Sequence, residues 1–307
     1  MKIYIDDRQI KNLNFKKITD KLTTINFTNK LEESYDADAI VVFPDFVTEE
    51  NLNKYSNLKW IQLFTAGFNT IDLDFVKSRD IYLTNAKGVY SKTIAEDVVT
   101  KILAINRNVR KYFENMKLGL WQPQKSEYEL TGATVGIIGT GSIGGEIAKR
   151  LKAFETKIIG HRRKKEDEPY FDEIYIGEDG LNKLIKESDY LILALPLNES
   201  SYHLIDESKF KLMKKNVVLV NIARGEVINQ DALIKALENK TIRGAALDVT
   251  VPEPLPKDNK LWQMENVLIT PHNAVSSPYL IDRLVSFIIE NIENYVYNNN
   301  VINHVRK

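Results

Sequence analysis

The stretch TVGIIGTGSIGGEIAKR at 134–150 places closely spaced glycines between an apolar run and a segment with the pattern of a helix. The first glycine, Gly139, permits a tight turn, and the second, Gly141, lets the backbone approach a pyrophosphate closely. The third, Gly144, lets the helix pack against the strand, and the helix N-terminus supplies N–H groups for the phosphates. The pattern predicts a dinucleotide site, although a chance glycine-rich turn would look the same. The residues expected to bind the cofactor here are Gly139, Gly141, Ser142, Ile143 and Gly144.

Short apolar runs rich in Ile, Val and Tyr alternate with polar or helix-patterned stretches along the chain. This alternation is typical of parallel α/β sheets. At 307 residues the chain exceeds the usual size of one hydrophobic core. We therefore predict an α/β fold of two Rossmann-like, doubly wound parallel-sheet domains with a cleft between them. The predicted strands lie at 2–6, 39–43, 60–64, 81–85, 134–139, 157–161, 190–195, 217–223, 244–249 and 267–270.

Two long helix patterns decide the expected domain boundaries. A segment without Pro or Gly, from Thr93 to about Met116, predicts a single helix long enough to bridge two domains. The segment 279–297 predicts a helix that packs back on the first domain. The predicted domains are a flavodoxin-like substrate domain, 1–98 with 279–307, and a dinucleotide-binding Rossmann domain, 99–278.

The charge and cysteine content exclude several classes of function. Lys plus Arg and Asp plus Glu both total 42, so no global positive field exists to bind nucleic acid. The chain has no cysteine, which removes disulfides, thiol nucleophiles and thiolate metal sites, and no metal site is predicted. No apolar run approaches the roughly 20 residues that span a bilayer, and the N-terminal MKIYIDDRQI does not resemble a signal peptide. We expect a cytoplasmic protein without a nucleic-acid or membrane partner.

Basic residues follow the second strand of the predicted dinucleotide domain, where an NAD site usually carries an acidic residue that bonds the adenosine ribose. The strand KIIG runs instead into HRRKK at 161–165. Arg162 and Arg163, with His161 beside them, are therefore predicted to hold the 2′-phosphate of NADP through charge-assisted hydrogen bonds. The alternative is a solvated basic turn. NADP is predicted to be preferred, with NAD as the alternative cofactor.

Further polar residues stand at the carboxyl ends of predicted strands, the edge where open α/β sheets bind ligands. Arg224 lies in NIARG, Glu253 in GAALDVTVPEPLP and His272 in ITPHNA. Taken singly, they could be an ion-pair partner, a solvated loop carboxylate and a capping histidine. Their occurrence on successive strand ends after a dinucleotide motif favours an enzyme active site.

These motifs resemble the D-2-hydroxyacid dehydrogenase family, which includes phosphoglycerate, glycerate and glyoxylate/hydroxypyruvate dehydrogenases or reductases. The resemblance implies an NAD(P)-dependent oxidoreductase acting on CH–OH donors, which transfers a hydride between NAD(P)H and a small 2-oxo acid or D-2-hydroxy acid. It covers nearly the whole chain. The motifs that carry it are TAGFNTID at 65–72, NAKGVYSKTIAED at 85–97, the glycine motif, ALPLN at 194–198, NIARGEVI at 221–228, LDVTVPEPLP at 247–256 and TPHNA at 270–274.

The resemblance assigns substrate binding to Arg224 and acid/base catalysis to His272 paired with Glu253. The planar fork of donors on a guanidinium suits the carboxylate and carbonyl of a 2-oxo acid. As hydride reaches the carbonyl carbon, negative charge develops on oxygen, and a protonated imidazole neutralises it by proton transfer. Glu253 would favour the imidazolium form and hold its orientation.

The resemblance also implies roles for residues around this trio. The backbone N–H groups of Ala66 and Gly67 in the first domain are expected to receive the substrate carboxylate as the cleft closes. Asp248 and the Ala223 carbonyl are expected to hold the nicotinamide carboxamide. The residues expected to line the cofactor channel are Leu195 and Pro196.

The segment 117–130, with Trp121, occupies the place of the arm that relatives use in dimerisation, so a homodimer is expected. The chain departs from the family pattern in its basic turn, in Phe68-Asn69, where a small apolar residue and Asp are commoner, and in Asn273 after the histidine. The last two departures leave the identity of the 2-oxo acid open but not the class of reaction. The chain ends soon after its histidine motif, so the regulatory domain of some phosphoglycerate dehydrogenases is not expected.

Two other functions compete with 2-oxo acid reduction. The first is a catalytically silent, NAD(P)-sensing regulator on the same fold, which would need the glycines but not Arg224, Glu253 and His272. The second is formate oxidation, but formate dehydrogenases of this family carry a glutamine where this chain has Glu253. Both are therefore disfavoured.

Overall fold

The computed structural model describes residues 1–10, 13–125, 127–164, 166–298 and 300–305, so Lys165 of the basic turn lies outside the described residues. The β-strands are β1 (Lys2–Ile5), β2 (Asn26–Thr28), β3 (Ala39–Val42), β4 (Trp60–Leu63), β5 (Tyr82–Thr84), β6 (Thr134–Ile138), β7 (Lys157–His161), β8 (Glu173–Tyr175), β9 (Tyr190–Leu193), β10 (Val218–Asn221), β11 (Gly244–Leu247) and β12 (Val267–Ile269). The α-helices are α1 (Phe15–Lys21), α2 (Glu49–Leu52), α3 (Leu73–Ser78), α4 (Ser91–Asn106), α5 (Val109–Lys117), α6 (Ser142–Leu151), α7 (Gly177–Glu187), α8 (Glu207–Phe210), α9 (Gln230–Glu238) and α10 (Leu280–Asn298). Single 3₁₀ turns lie at Leu31–Glu33, Pro44–Phe46, Lys152–Phe154, Gly225–Val227 and Lys260–Gln263.

The chain divides into two compact units. The first comprises Met1–Tyr90 with Ser277–Lys307, and the second comprises Ser91–Ser276. The whole of α4 therefore belongs to the second unit. The domain boundaries expected from the sequence, after residues 98 and 278, stay predictions.

The described residues of the first unit form a five-stranded parallel sheet in the order β2-β1-β3-β4-β5. This is the flavodoxin-like strand order. The central strands β3 and β4 are buried along their whole length, because a parallel sheet is covered on both faces and needs apolar residues on each. On one face Ile3 and Val41 pack with Leu284 and Ile288 of α10. The C-terminal helix thus completes the core of the first unit.

The described residues of the second unit form a seven-stranded parallel sheet in the order β12-β11-β10-β9-β6-β7-β8. The strand order reverses at β6, which pairs with β7 on one side and β9 on the other. Open α/β sheets bind ligands outside the carboxyl ends of strands at such a switch point. The prediction of two Rossmann-like parallel-sheet domains is confirmed.

The sequence pattern misses two strands, β2 and β8. Each is three residues long and lies at the edge of its sheet. Residues of β8 are only partly buried and β2 has one exposed position, so neither strand leaves an apolar run in the sequence. Short, partly polar edge strands of this kind also limit pairing with other chains.

The single helix predicted from Thr93 to about Met116 is wrong. Helix α4 ends at Asn106, and α5 begins at Val109 after a break. Between them Asn108 has φ 49°, in the left-handed region, which ends the run of right-handed helical residues. Asparagine adopts this conformation more readily than most side chains, and nothing like a Pro or Gly marks the break. Within the second unit α4 packs along α6.

In the described part of the chain, none of the helices is long and apolar enough to cross a bilayer.

Candidate active site

The glycine turn after β6 is shaped so that a side chain would not fit. Gly139 has φ 100°, and a Cβ there would lie 2.3 Å from the carbonyl oxygen of Ala194. A Cβ on Gly144 would lie 2.1 Å from the carbonyl oxygen of Gly139, so the first turn of α6 rests directly on the glycine turn. Both positions therefore require glycine, the first for conformation and contact and the second for contact.

The N-terminus of α6 is open on the side that the glycines face. A Cβ on Gly141 would meet no atom within 4 Å, and Ser142 and Ile143 begin the helix beyond it. The N–H groups of a first helical turn have no partner within the helix, and the helix dipole places partial positive charge there. The turn thus fits a dinucleotide pyrophosphate, with Gly141 leaving the room that the phosphates need.

The turn after β7 is less cationic than its sequence suggests. His161 Nε2 lies 3.0 Å from the Gly177 carbonyl oxygen, and burial lowers the pKa of His161, which favours the neutral imidazole. Arg162 donates one hydrogen bond of 2.5 Å to Glu168 and another of 2.6 Å to Glu166, so its guanidinium holds two carboxylates. Arg163 is exposed. The prediction that Arg162 and Arg163, with His161, hold a 2′-phosphate stays a prediction.

Arg224 follows β10 in a loop held by its own side chains and backbone. The side chain of Asn221 accepts from the Ala223 N–H at 3.0 Å and donates to the Arg224 carbonyl at 2.9 Å. The Arg224 side chain donates from Nη1 to the Ala223 carbonyl at 2.7 Å. The other guanidinium nitrogens remain donors in a fixed fork. The carbonyl expected to receive the nicotinamide carboxamide thus already accepts one hydrogen bond and has one lone pair left.

Two contacts join the Arg224 loop and α9 to the loop after β11. A Cβ on Gly225 would lie 2.2 Å from the Thr250 carbonyl oxygen, so the two loops touch backbone to backbone. The side-chain amide of Gln230 accepts from the Val251 N–H at 2.9 Å and donates back to the Val251 carbonyl at 2.5 Å. These contacts place the segment that carries Glu253 beside the segment that carries Arg224.

Glu253 and His272 form a directly paired acid and base. His272 Nδ1 lies 2.8 Å from Glu253 Oε2, and the other carboxylate oxygen accepts from the Thr250 N–H at 3.1 Å. Both side chains are partly exposed, His272 to 47% and Glu253 to 39%. His272 itself has φ 50°, and its N–H donates to the Asp248 carbonyl at 2.8 Å. Because Nδ1 faces the carboxylate, Nε2 is the nitrogen left for a reacting group.

Asp248 holds the loop on which His272 stands. Its buried carboxylate accepts from the Thr270 hydroxyl at 2.5 Å, from the Asn273 N–H at 3.1 Å and from the Ala274 N–H at 3.1 Å. Only the last of these bonds reaches Oδ2, which therefore keeps capacity for another donor. The residue expected to hold a carboxamide thus also fixes the loop that carries His272.

Lys101 and Asp97 are charged residues at this site that sequence reasoning missed. Lys101 of α4 contacts Asp97 one turn earlier, and its Nζ lies 3.7 Å from Asp248 Oδ1. A signal for it exists in the sequence: position 101 falls seven residues after Ile94 and three after Val98, on the apolar stripe of the helix. A lysine in such a stripe predicts either a snorkelling side chain or a buried partner.

Leu195 and Pro196 follow β9 at the same edge of the sheet. Leu195 packs against the core of the second unit, and Pro196 is exposed, with its carbonyl accepting from the Ser201 hydroxyl at 2.8 Å. Both residues lie beside the glycine turn, because the preceding residue, Ala194, contacts Gly139 through its carbonyl group.

Ala66 and Gly67 lie in the first unit, at the carboxyl end of β4. Asn85 Nδ2 donates to the Ala66 carbonyl at 2.8 Å, and the Thr65 hydroxyl donates to the Gly67 carbonyl at 2.7 Å. These hydrogen bonds hold the loop after β4 through the carbonyl groups of Ala66 and Gly67. The candidate residues Arg224, Glu253 and His272 all belong to the second unit.

Comparison with known proteins identifies the family. The D-isomer specific 2-hydroxyacid dehydrogenase, NAD binding domain, matches residues 99–274. A glyoxylate reductase of Korarchaeum cryptofilum is 33% identical over 268 residues, which cover 85% of this chain and 80% of that protein.

Two solved structures with this fold are complexes with a nicotinamide cofactor. An acyclic imino acid reductase in complex with NADPH and D-Arg is similar with a TM-score of 0.83 at 26% identity, over 100% of both chains. The D-lactate dehydrogenase of Aquifex aeolicus, complexed with NAD and lactic acid, is similar with a TM-score of 0.78 at 25% identity, also over 100% of both chains. Because the family match spans more than half of the sequence, the chain belongs to the D-isomer specific 2-hydroxyacid dehydrogenases, which are nicotinamide-dependent oxidoreductases.

Proposed function

We propose that this protein reduces a small 2-oxo acid to the D-2-hydroxy acid with NAD(P)H, and catalyses the reverse oxidation. The observation that carries the proposal is the 2.8 Å contact between His272 Nδ1 and Glu253 Oε2 at the ligand-binding edge of a dinucleotide-type sheet. A protein that only senses the cofactor needs the glycine turn but has no use for a paired acid and base. The alternative of a silent regulator is therefore not favoured.

The proposed reaction needs a hydride at C2 of the substrate and a proton on the carbonyl oxygen. The reduced nicotinamide, when bound, supplies the hydride. His272, protonated, gives its Nε2 proton to the oxygen as the carbonyl π bond breaks, and becomes neutral. Glu253, on the other ring nitrogen, stabilises the imidazolium before transfer and keeps Nε2 directed outward. In the oxidation the same nitrogen takes the proton back.

Arg224 is proposed to bind the carboxylate and carbonyl oxygens of the substrate. Its Nη1 is engaged by the Ala223 carbonyl, which fixes the plane of the guanidinium. The remaining donors form a fork that matches two oxygens at once. The substrate roles of Ala66 and Gly67 also stay proposals, and they rest on the TAGFNTID motif.

The cofactor is proposed to lie with its pyrophosphate at the glycine turn and its nicotinamide half over the strands beyond the switch point. Asp248 Oδ2 and the second lone pair of the Ala223 carbonyl would accept hydrogen bonds from the carboxamide of the cofactor. Leu195 and Pro196 are proposed to line the channel between these two points, because they follow the strand next to the glycine turn.

We further propose that NADP(H) is preferred to NAD(H). The support is the absence, from HRRKK, of a carboxylate directly at the end of β7, and the presence of Arg162 and Arg163 there. A 2′-phosphate has to displace Glu166 and Glu168 from Arg162, so the preference is smaller than two free guanidiniums would give.

A homodimer formed through the second unit is proposed for the assembled enzyme. Large apolar side chains are exposed on α5 and on the arm that follows it, and Trp121 is fully exposed. Exposed apolar patches of this kind mark contact sites between proteins. A cytoplasmic location stays a prediction from the sequence.

The proposed function is tested by following NADPH and NADH oxidation with glyoxylate, hydroxypyruvate, pyruvate, branched 2-oxo acids and phosphohydroxypyruvate. We expect turnover with at least one of them. The matched control is an aldehyde of similar size without a carboxylate, which should react poorly because it cannot engage the fork of Arg224. Tight binding of the cofactor without turnover on any 2-oxo acid would favour the silent regulator instead.

A further inference from the structure

Lys101 is a buried cation that the proposed reaction does not use. Its side chain is 1% exposed, and lysine is almost never fully buried unless it is paired. It stands between the carboxylates of Asp97, which is 23% exposed, and Asp248, which is 3% exposed. An apolar residue on this face of α4 would avoid the desolvation of an ammonium group, so the charge itself calls for an explanation.

The cluster holds two carboxylates and one ammonium. Burial raises the pKa of the Asp97 carboxyl, Lys101 opposes this rise and the charge of Asp248 adds to it. Because such groups interact in a medium of lower dielectric than water, removing one charge changes the local potential more than it would at the surface. The potential at Asp248 therefore depends on the charges of both Lys101 and Asp97.

Asp248 belongs both to this charged cluster and to the candidate active site. It follows β11, beyond the switch point, and one carboxylate oxygen retains acceptor capacity. A nicotinamide ring carries a positive charge when oxidised and none when reduced. A fixed charge near the ring thus changes the affinity for the oxidised form and leaves the affinity for the reduced form nearly unchanged.

We propose that Lys101 offsets the charge of Asp248 and so makes the site favour the reduced cofactor over the oxidised one, while Asp97 limits this effect. The inference rests on the proposed function, since it takes the nicotinamide to lie beside Asp248. Lys101 does not contact the cofactor in this proposal and acts only by changing the electrostatic potential at Asp248. The preference favours 2-oxo acid reduction, because the oxidised cofactor formed in that direction dissociates more readily than the reduced cofactor that is consumed.

The test compares the dissociation constants of the oxidised and reduced cofactor, measured by isothermal titration calorimetry at about pH 8. In Lys101→Met the ratio of the oxidised to the reduced dissociation constant should fall about tenfold, because the oxidised ring then meets an uncompensated carboxylate. In Asp97→Asn the same ratio should rise several-fold, because Lys101 then offsets Asp248 more fully. The double variant should lie between the two.

The opposite signs separate a charge effect from loss of structure, which would weaken both forms of the cofactor in both variants. Lys235→Met, an exposed lysine on α9, is the matched control and should leave the ratio unchanged. If Lys101→Met shows no cooperative unfolding transition, it is not folded, and the ratio measured for Asp97→Asn alone then tests the proposal. Ratios that stay at the parental value, or that move in the same direction in both single variants, would overturn the proposal.

Failure of this inference is distinguishable from failure of the proposed function. If the parent protein binds a nicotinamide cofactor and turns over a 2-oxo acid while the ratios do not move, only the role of Lys101 is wrong. If the parent binds neither form of the cofactor, the proposed function and this inference both fail.

Discussion

His272 presents its two ring nitrogens to different surroundings, and this asymmetry leads to a kinetic prediction. Nδ1 lies 2.8 Å from Glu253 Oε2, which fixes the orientation of the ring and leaves Nε2 for the substrate. Glu253→Gln removes the charge of that carboxylate from beside the proton donor. We expect kcat for reduction to fall by about tenfold or more, because the donor is then less well held and its positive charge is no longer compensated. A kcat that equals that of the parent would contradict the pairing.

Arg224 should not be replaceable by lysine. A lysine keeps the positive charge but offers a point charge in place of a planar fork. We expect Arg224→Lys to lower kcat/KM for 2-oxo acids by about a hundredfold or more, since a bidentate charged contact in a desolvated site contributes a few kcal/mol. Arg79→Lys, in the first unit, is the control and should change kcat/KM little. Steady-state kinetics that do not change in Arg224→Lys would remove this residue from the site.

Single residues at strand ends were the most predictable part of the site. Arg224, Glu253 and His272 could be chosen because polar side chains at the carboxyl ends of parallel strands share one edge. Their chemistry also belongs together, and the structure pairs two of them directly. The position of Lys101 on the apolar stripe of α4 indicates a buried partner, but Asp248 could not be identified as that partner, because an ion pair between distant elements leaves no local pattern.

The turn after β7 carries the prediction of cofactor preference. Each guanidinium contact to a 2′-phosphate is worth about 1.5–3 kcal/mol before screening, but Arg162 first has to release Glu166 and Glu168. We expect kcat/KM to favour NADPH by about tenfold or less, and Arg162→Ala/Arg163→Ala to lose that preference. Glu166→Gln/Glu168→Gln should increase it, because the competing carboxylates are gone. The surface variant Lys211→Ala serves as control.

Two results would argue against this reading of the turn. One is a preference of the parent for NADH. The other is a ratio of NADPH to NADH efficiency that is the same in the parent and in the double arginine variant.

Strands were predictable where burial requires a continuous apolar run. Strands without such a run were not predictable. The central strands β3, β9 and β10 are fully buried, and each was predictable from its short apolar run. The edge strands β2 and β8 were missed because partly exposed residues carry no such run. The break between α4 and α5 depends on the left-handed conformation of Asn108. The periodicity of apolar residues along a helix gives no sign of such a conformation.

The assembled molecule should be a dimer held by the exposed arm. Trp121 and Leu118 are largely exposed, as are Met116 and Phe113 of the preceding helix. A large aromatic residue at the centre of an interface often contributes about 2 kcal/mol or more, so Trp121→Ser should weaken the dimer at least about tenfold. Tyr202→Ser, at another exposed aromatic residue, is the matched control. Sedimentation that shows the parent only as a 35.3 kDa species at micromolar concentration would refute the dimer.

The two-sheet fold was predictable for the molecule as a whole because apolar runs, glycine turn and helix patterns all agree on it. The identity of the 2-oxo acid was not, since pocket shape depends on side chains from loops with no periodic pattern. The ion pairs of Arg162 show the same limit at the cofactor site: the basic residues could be read from the sequence, and their acidic partners four and six positions later were not recognised.

The central claim is hydride transfer to C2 of a 2-oxo acid, and isotope transfer tests it most directly. The protein is given cofactor carrying deuterium at the transferring position of the nicotinamide and a 2-oxo acid larger than glyoxylate. The product is analysed by mass spectrometry and chiral chromatography. The account predicts a D-2-hydroxy acid with one deuterium at C2. An unlabelled product, or a labelled product that is racemic or of the L configuration, would contradict it.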